Sequence, residues 1–227
     1  MVSTFIFKTA ALAATLLASA NARLEKKHPH GSTAEMFLFG AQVKSFHAAM
    51  DPKLDILFMS NESFMDGVQP IRGGIPVVFP NFGAAEGSPS HGFARITNWT
   101  LTSHVKDANK KSPSVATFTM ASSSSTRAMW PVDFKLEHEV KLYANQLETA
   151  LHVHNKFTKP IEFHALLHNY FWVDDVTNKG VQISGLKDVK YFDKVDKTNK
   201  TEHRAHIDFS AQTDNVCMDA PDVVTAI

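Results

Sequence analysis

The chain has 227 residues, 44% of them hydrophobic and 20% charged, a composition typical of globular proteins that excludes a disordered chain. The 23 basic side chains balance 23 acidic ones, so no excess charge attracts nucleic acid or an anionic membrane, and we expect neither as a partner. The single cysteine, Cys217, excludes an intramolecular disulfide, so the fold must depend on its hydrophobic core.

The N-terminus is typical of a secretory signal peptide over residues 1–22. Lys8 supplies a positive charge, Thr9 to Ala20 is a short apolar run, and Ala20-Asn21-Ala22 forms a small-x-small cleavage site. The alternative is a hydrophobic tail that is not cleaved. We predict cleavage after Ala22 and secretion.

Residues 23–35 are interpreted as a short flexible leader, because Arg23 to Lys27 is mostly charged, and residues 36–227 as one domain. Short sequons for N-glycosylation begin at Asn61, Asn98 and Asn199 and are compatible with secretion.

Alternating hydrophobicity predicts an antiparallel hairpin over residues 134–153. The residues on its apolar face are Phe134, Leu136, His138, Val140 and Leu142; after a turn at 144–146 the alternation resumes from Leu147. No long helical period is found, and the run Ser122 to Ser125 is interpreted as a loop. Many short strands with turns between them predict an all-β sandwich or barrel. The further predicted strands are Ser114 to Met120, Glu162 to Leu167, Val181 to Ser184 and Val189 to Phe192.

Three motifs could carry chemistry. The segment IRGGIPVVFPNFG, residues 71–83, places Arg72 ahead of glycines and prolines that suit neither an ordinary strand nor a helix. In SHGFAR, His91 and Arg95 could share one rim, although a surface His-Gly turn is the commoner explanation. His168 lies in an aromatic stretch, where a core histidine bonded to a backbone carbonyl is the alternative.

Together, and in this order, these motifs resemble the aldose 1-epimerase superfamily, and specifically its hexose-6-phosphate mutarotase (glucose-6-phosphate 1-epimerase) branch. The resemblance runs from about Phe37 to the C-terminus. Its matching pieces are Ile71 to Pro80, Phe82-Gly83, His91 to Arg95 with Trp99, Leu167 to Phe171, Ile183 to Leu186 and Tyr191 to Lys194.

The resemblance implies a galactose-mutarotase-like antiparallel β-sandwich that interconverts the anomers of hexose 6-phosphates by acid–base opening of the sugar ring. It implies that Arg72 and Arg95 clamp the 6-phosphate, that His168 acts as the acid and that His91 orients the sugar. No metal or organic cofactor is needed, and we expect a monomer acting on a small sugar phosphate. Two further substrate-binding residues are implied, a carboxylate at Asp193 and an amide at Asn81, where the family more often has glutamine.

The chain departs from the family pattern at its C-terminus. The family's general base is a glutamate beyond the position of Ile227, and the last glutamate of this sequence is Glu202. This predicts a truncated member with exposed sheet edges and impaired turnover. The alternative is a non-catalytic secreted carbohydrate-binding protein on the same fold. The family's usual location, the cytoplasm, is the alternative to secretion.

Overall fold

The computed structural model describes residues 22–106, 112–177 and 180–227, which form two compact units divided between Trp172 and Val173. The predicted all-β class is confirmed. In the first unit the strands are β1 Arg23–Lys27, β2 Thr33–Phe37, β3 Val43–His47, β4 Val77–Val78, β5 Thr100–Val105, β6 Ser114–Ala121, β7 Phe134–Leu142, β8 Leu147–Asn155 and β9 Leu166–Leu167. In the second they are β10 Ile183–Ser184, β11 Lys190–Asp193, β12 Thr198–Thr201, β13 His206–Ile207, β14 Asn215–Cys217 and β15 Thr225–Ala226.

The sheets are antiparallel. In the first unit β1, β2 and β3 pair in order, β4 pairs with β9, and β5 to β8 form a four-stranded sheet. In the second unit β13-β10-β15 and β12-β11-β14 form two three-stranded sheets. The described residues include no helix with the length and hydrophobicity needed to span a bilayer.

The predicted hairpin is confirmed as β7 and β8, which pair in unbroken register from Phe134 with Asn155 to Leu142 with Leu147. Burial alternates along β7 as a period of two requires, and its inward residues line the main core. The predicted strand at Ser114 to Met120 is also found, as β6. Of the predicted strand Glu162 to Leu167, only Leu166–Leu167 forms, and the two predicted strands in the second unit are shorter or shifted by a residue.

The interpretation of residues 23–35 as a flexible leader is wrong. Arg23–Lys27 is strand β1, paired along its whole length with β2, because its alternate side chains have a core to face. Lys26 is buried, its Nζ donates to the carbonyl of Val105 at 2.8 Å, and burial followed by the charge of Lys106 lowers its pKa to about 8. The predicted signal peptide, residues 1–22, lies outside the described residues except for Ala22, and both the signal peptide and cleavage after Ala22 remain predictions.

The serine run was predicted as a loop, and this is wrong for its second half. A short helix, α1 Ser124–Met129, begins after Ser123, whose hydroxyl accepts from the N–H of Thr126. The hydroxyl of Thr126 accepts from the N–H of Ser123 at 2.8 Å in return. This reciprocal capping box starts a helix in a sequence whose composition favours loops.

His138 lies on the apolar face of β7 and is completely buried beside Trp99. Its Nδ1 lies 3.0 Å from the carbonyl oxygen of Ala41, which requires Nδ1 to carry the proton and donate. Its Nε2 is buried without a partner among the described residues. Burial, only partly opposed by the bond to Ala41, lowers the pKa of His138 to about 4.

This shift predicts acid sensitivity. Because the pKa of His138 is lower in the folded chain than the unfolded value of about 6.5, its stabilising contribution is complete above that pH and is lost as the pH falls towards 4. The loss is about 3 kcal/mol. We expect the urea midpoint of His138→Gln to be lower at pH 7 but to change less between pH 7 and pH 5. The exposed His152→Gln is the control, and an unchanged pH dependence in His138→Gln would contradict the account.

Candidate active site

The start of the segment Ile71 to Gly83 lies against the backbone at Met59 and at Val43. Gly73 forms a bridge with Met59, and Ile75 forms one with Val43. Gly74 has a φ of +59°, and a Cβ there would overlap the carbonyl oxygen of Val43. Only glycine fits so close an approach with this conformation. The glycine pair therefore fixes the path of the chain directly after Arg72.

Arg72 has an exposed side chain and a firmly held backbone. The hydroxyl of Ser63 accepts from the N–H of Arg72 at 2.9 Å and donates to its carbonyl oxygen at 2.7 Å. The N–H of Ser60 donates to the same oxygen at 3.0 Å. The guanidinium has no ion pair with any residue that the structure describes. A held backbone with an unpaired cation suits an anion-binding side chain.

The structure brings His91 and His168 together. Strand β4 of the Gly-Pro segment pairs with β9, so that the N–H of His168 donates to the carbonyl of Pro76 at 3.1 Å. On the other side, Gly92 forms a bridge with Phe79. The rings of the two histidines therefore lie with their centroids 6.3 Å apart at 68°.

The loop before His91 orients its ring. His91 has a φ of +64°, a strained value for a residue with a side chain, and its N–H donates to the carbonyl of Gly83 at 2.8 Å. The N–H of Gly83 in turn donates to Nδ1 of His91 at 3.2 Å. An Nδ1 that accepts a bond leaves the proton of a neutral ring on Nε2.

Arg95 is half-buried, and its Nη2 donates to the carbonyl of Ser90 at 2.7 Å. Its Nε is buried without a partner among the described residues. Burial lowers the pKa of Arg95, and the Coulomb interaction with Tyr170 acts in the opposite direction. Ile71, next to Arg72, forms a small apolar cluster with Phe37 and Phe39. Ile96, next to Arg95, packs against this cluster. The segments that carry the two arginines thus share one support.

Tyr170 is a site residue that the sequence analysis missed. Its ring centroid lies 4.7 Å from that of His168. A signal was present, because residues two apart on an extended segment point to the same side. Tyr170 stands two positions after His168 and directly within the same aromatic stretch.

Comparison with known proteins agrees with this arrangement. The sequence model of the aldose 1-epimerase family matches residues 23–227. The chain belongs to the aldose 1-epimerase family. Its match begins at Arg23, where strand β1 begins.

Two relatives carry the provisional name glucose-6-phosphate 1-epimerase. The protein of Salmonella typhimurium is 40% identical over 144 residues, which is 62% of this chain and 45% of that protein. The protein of Escherichia coli is 36% identical over 193 residues, which is 83% of this chain and 61% of that protein. The chain therefore spans about half to three fifths of the length of these relatives.

A solved structure confirms the fold. The crystal structure of a protein from Salmonella typhimurium, provisionally described as a mutarotase, superposes with a TM-score of 0.77 at 32% sequence identity. The match covers 90% of this chain and 65% of that one. The predicted mutarotase-like β-sandwich is thus shown.

Asn81, predicted to bind substrate, braces the loop that carries His91. Its Nδ2 donates to the carbonyls of Gly83 at 2.9 Å and Pro89 at 3.2 Å, and its Oδ1 accepts from the hydroxyl of Ser88 at 2.8 Å. Both amide protons are engaged, which leaves one lone pair for any ligand. The geometry favours a positioning role.

Asp193, the predicted sugar-binding carboxylate, lies at the end of β11 in the second unit. Its Oδ2 accepts from Nζ of Lys200 at 2.8 Å, and its Oδ1 accepts from the N–H of Val195 at 2.9 Å. The bond from Lys200 is the largest cause of its lowered pKa. These contacts describe a carboxylate that closes the hairpin between β11 and β12, and its role towards sugar remains a prediction.

The two roles considered for Asn81 predict different results for Asn81→Ala. A loop brace should lower the stability of the protein by roughly 1–3 kcal/mol, because two carbonyls and a hydroxyl lose their partner. Thermal melting of the ligand-free protein measures this, with the exposed Asn199→Ala as the control. An unchanged melting temperature combined with weaker binding of glucose 6-phosphate would instead show that Asn81 contacts the substrate.

Proposed function

We propose that this chain carries the site of a hexose-6-phosphate 1-epimerase, which interconverts the α and β anomers of glucose 6-phosphate and similar sugars. The observation that carries the proposal is the meeting of His91 with His168 beside two arginine-bearing segments. Family membership and the names of the two relatives support it. The non-catalytic carbohydrate-binding alternative is not favoured.

Opening the sugar ring requires a proton donor at the ring oxygen. His168 suits this role because its Nδ1 is buried, which leaves Nε2 as the nitrogen open to the cleft. Imidazole titrates near neutral pH and can give and recover a proton there. When the ring oxygen is protonated and the O1 proton is removed, the hemiacetal opens, the C1–C2 bond rotates and the ring closes on the other face.

His91 is proposed to hold the sugar. Its Nδ1 accepts from the backbone of Gly83, so a neutral His91 presents Nε2–H as a donor to a sugar oxygen. The exposed face of Phe82 lies against its ring at 5.3 Å and adds an apolar surface beside it. A donor next to an apolar ring is the usual combination in pockets for small polar ligands.

Arg72 and Arg95 are proposed to bind the 6-phosphate. Arg72 has an unpaired guanidinium, as described above, and Arg95 has a buried Nε without a partner among the described residues. A phosphate dianion would neutralise both charges and accept from both guanidinium forks. The burial that disfavours an uncompensated charge on Arg95 would strengthen its attraction to a bound phosphate.

The general base is not assigned to a residue of this chain. No carboxylate among the described residues forms an ion pair or hydrogen bond with His168. The proposed mechanism therefore rests on the acid, the sugar contact and the phosphate clamp.

Secretion is a separate proposal that rests on the leader sequence alone. If it is correct, N-terminal sequencing of the exported protein should begin at Arg23.

Binding of glucose 6-phosphate tests the phosphate clamp. We expect glucose 6-phosphate, and more weakly inorganic phosphate, to raise the melting temperature of the protein. Arg72→Ala should weaken binding by about tenfold or more, because a charge-assisted pair is lost. Lys53→Ala removes an exposed positive charge elsewhere and should bind as the wild type does. A wild-type melting temperature that neither ligand changes would refute the phosphosugar proposal.

A further inference from the structure

We propose that two copies of this chain associate through the outer edge of β8, so that their two four-stranded sheets continue into one another. Strand β8 is the last strand of its sheet, and no strand among the described residues pairs with its outer edge. Such an edge offers a row of N–H and C=O groups to another strand. The proposal replaces the expectation of a monomer and does not depend on the sugar chemistry proposed above.

The two ends of the hairpin show which backbone groups of β8 face this edge. The N–H of Tyr143 donates to the carbonyl of Gln146 at 2.9 Å, and the N–H of Lys156 donates to that of Asp133 at 3.0 Å. Between these bonds β7 and β8 pair in unbroken register. Hydrogen-bonded and non-hydrogen-bonded pairs alternate along an antiparallel ladder, so the even-numbered residues of β8 bond to β7. The N–H and C=O groups of the odd-numbered residues therefore point away from β7, towards the open edge.

The edge at β8 lacks the features that protect most edge strands, which are lysine, proline, a bulge or a covering segment. Strand β5, at the other edge of the same sheet, has a bulge between Leu101 and Ser103, and Nζ of Lys26 binds the carbonyl of Val105. The nine residues of β8, LETALHVHN, contain no lysine or proline, and their ladder with β7 has no bulge. The sheet is thus protected at one edge and open at the other.

The side chains of β8 that face the core leave apolar surface exposed at this edge. Leu147, Leu151 and Val153 pack against the main core but are only half-buried, whereas the inward residues of β7 are buried. A further strand beside β8 would cover this remaining surface. Burial of apolar area therefore adds to the main-chain hydrogen bonds that the edge can form.

The sequence of β8 suits antiparallel pairing with a copy of itself about Leu151. In that register all nine residues are paired, Leu151 lies opposite the partner's Leu151, and Thr149 lies opposite the partner's Val153. These odd-numbered residues carry the outward N–H and C=O groups, so each pair can exchange two hydrogen bonds. Their side chains stay on the inner face of the sheet in both copies.

The outer face of the sheet is complementary in charge in the same register. Glu148 lies opposite the partner's His154, in a non-hydrogen-bonded pair whose side chains approach closely. Within one chain, Glu148 lies 2.9 Å from Nζ of Lys141, and Nε2 of His154 lies 3.2 Å from a carboxylate oxygen of Glu137. The new pair therefore continues an alternation of acidic and basic groups across the joined sheet.

Other registers fit less well. A shift of one residue would place inward side chains opposite outward ones. A shift of two residues in one direction would place His152 opposite the partner's His152, and in the other it would leave Asn155 opposite the turn of the hairpin. Charge and strand length therefore both favour the register centred on Leu151.

Sedimentation velocity from low to high micromolar concentration measures the association. Thr149→Pro removes an outward N–H at a position where an edge strand tolerates proline, because that N–H does not bond to β7. Thr149→Ala keeps the N–H and is the matched control. His154→Glu leaves the backbone unchanged and places a carboxylate opposite the partner's Glu148. The double variant Glu148→Lys/His154→Glu restores opposite charges.

We expect the wild type and Thr149→Ala to form a dimer that dissociates on dilution. Thr149→Pro should raise its Kd by about tenfold or more, because each copy loses one hydrogen bond. His154→Glu should also weaken the dimer, and the double variant should recover it. Circular dichroism checks that each variant folds. If Thr149→Pro does not fold, His154→Glu and its charge-swapped double variant decide the question.

Cysteine pairs test the register, in a Cys217→Ser background with oxidised glutathione as the oxidant. A mixture of Glu148→Cys chains and His154→Cys chains should form a disulfide-linked dimer, because Cα atoms in such a pair lie about 4.5 Å apart. Glu148→Cys chains alone should not, because the two copies of residue 148 would lie roughly 20 Å apart along the strands.

Three results would overturn the proposal. The first is a wild-type chain that sediments as a monomer at every concentration. The second is a dimer whose Kd is unchanged in a folded Thr149→Pro variant, or in His154→Glu, since it would use another surface. The third is cross-linking of Glu148→Cys chains alone as readily as of the mixture, which would exclude the register about Leu151.

Discussion

The packing of Phe79 is the constraint on which the candidate site depends. Its ring is completely buried and contacts the rings of Phe93, Trp130, Phe134 and Phe163 with centroid distances of 5.3–6.2 Å. Its carbonyl oxygen accepts from the N–H of Ala94 at 3.2 Å and leaves no room for a side chain at position 92. One residue thus ties the core to the turn that carries His91. A change in the core at Phe79 would be transmitted directly to the site.

The site places polar atoms of Arg95 and His168 where they have no partner among the residues that the structure describes. Buried polar atoms are normally bonded, so each exception asks for a physical reason. Nε of Arg95 and Nδ1 of His168 are two such atoms. For Arg95, a bound phosphate, as proposed, would supply the missing acceptor. For His168, the buried Nδ1 leaves Nε2 as the nitrogen that a ligand could reach.

The sequence predicted those features whose signal is local. The alternating hydrophobicity of β7 and β8 was sufficient to predict which side chains of β7 face the core. Each inward residue is apolar or, at His138, able to bond a backbone carbonyl. That His91 and His168 belong to one site was implied by the family resemblance alone, since no spacing rule joins positions so far apart. Both histidines and both arginines were named before the structure placed the histidine rings in contact.

The failures have a common physical cause, which is that long-range contacts override local composition. Arg23–Lys27 is charged, yet pairing with β2 and a carbonyl acceptor for Lys26 make it a strand. The bonds by which Asn81 closes its own loop were likewise not predicted by the sequence.

The most direct test of the proposed function is exchange NMR between the two anomeric proton signals of glucose 6-phosphate, with and without the protein. The account predicts that exchange is faster with the wild-type chain than in buffer, although impaired by the absence of the family's general base, and that His168→Asn abolishes this acceleration. The exposed His164→Asn should keep it. Acceleration that survives in His168→Asn, or exchange that is no faster with the wild-type chain than without it, would contradict the account.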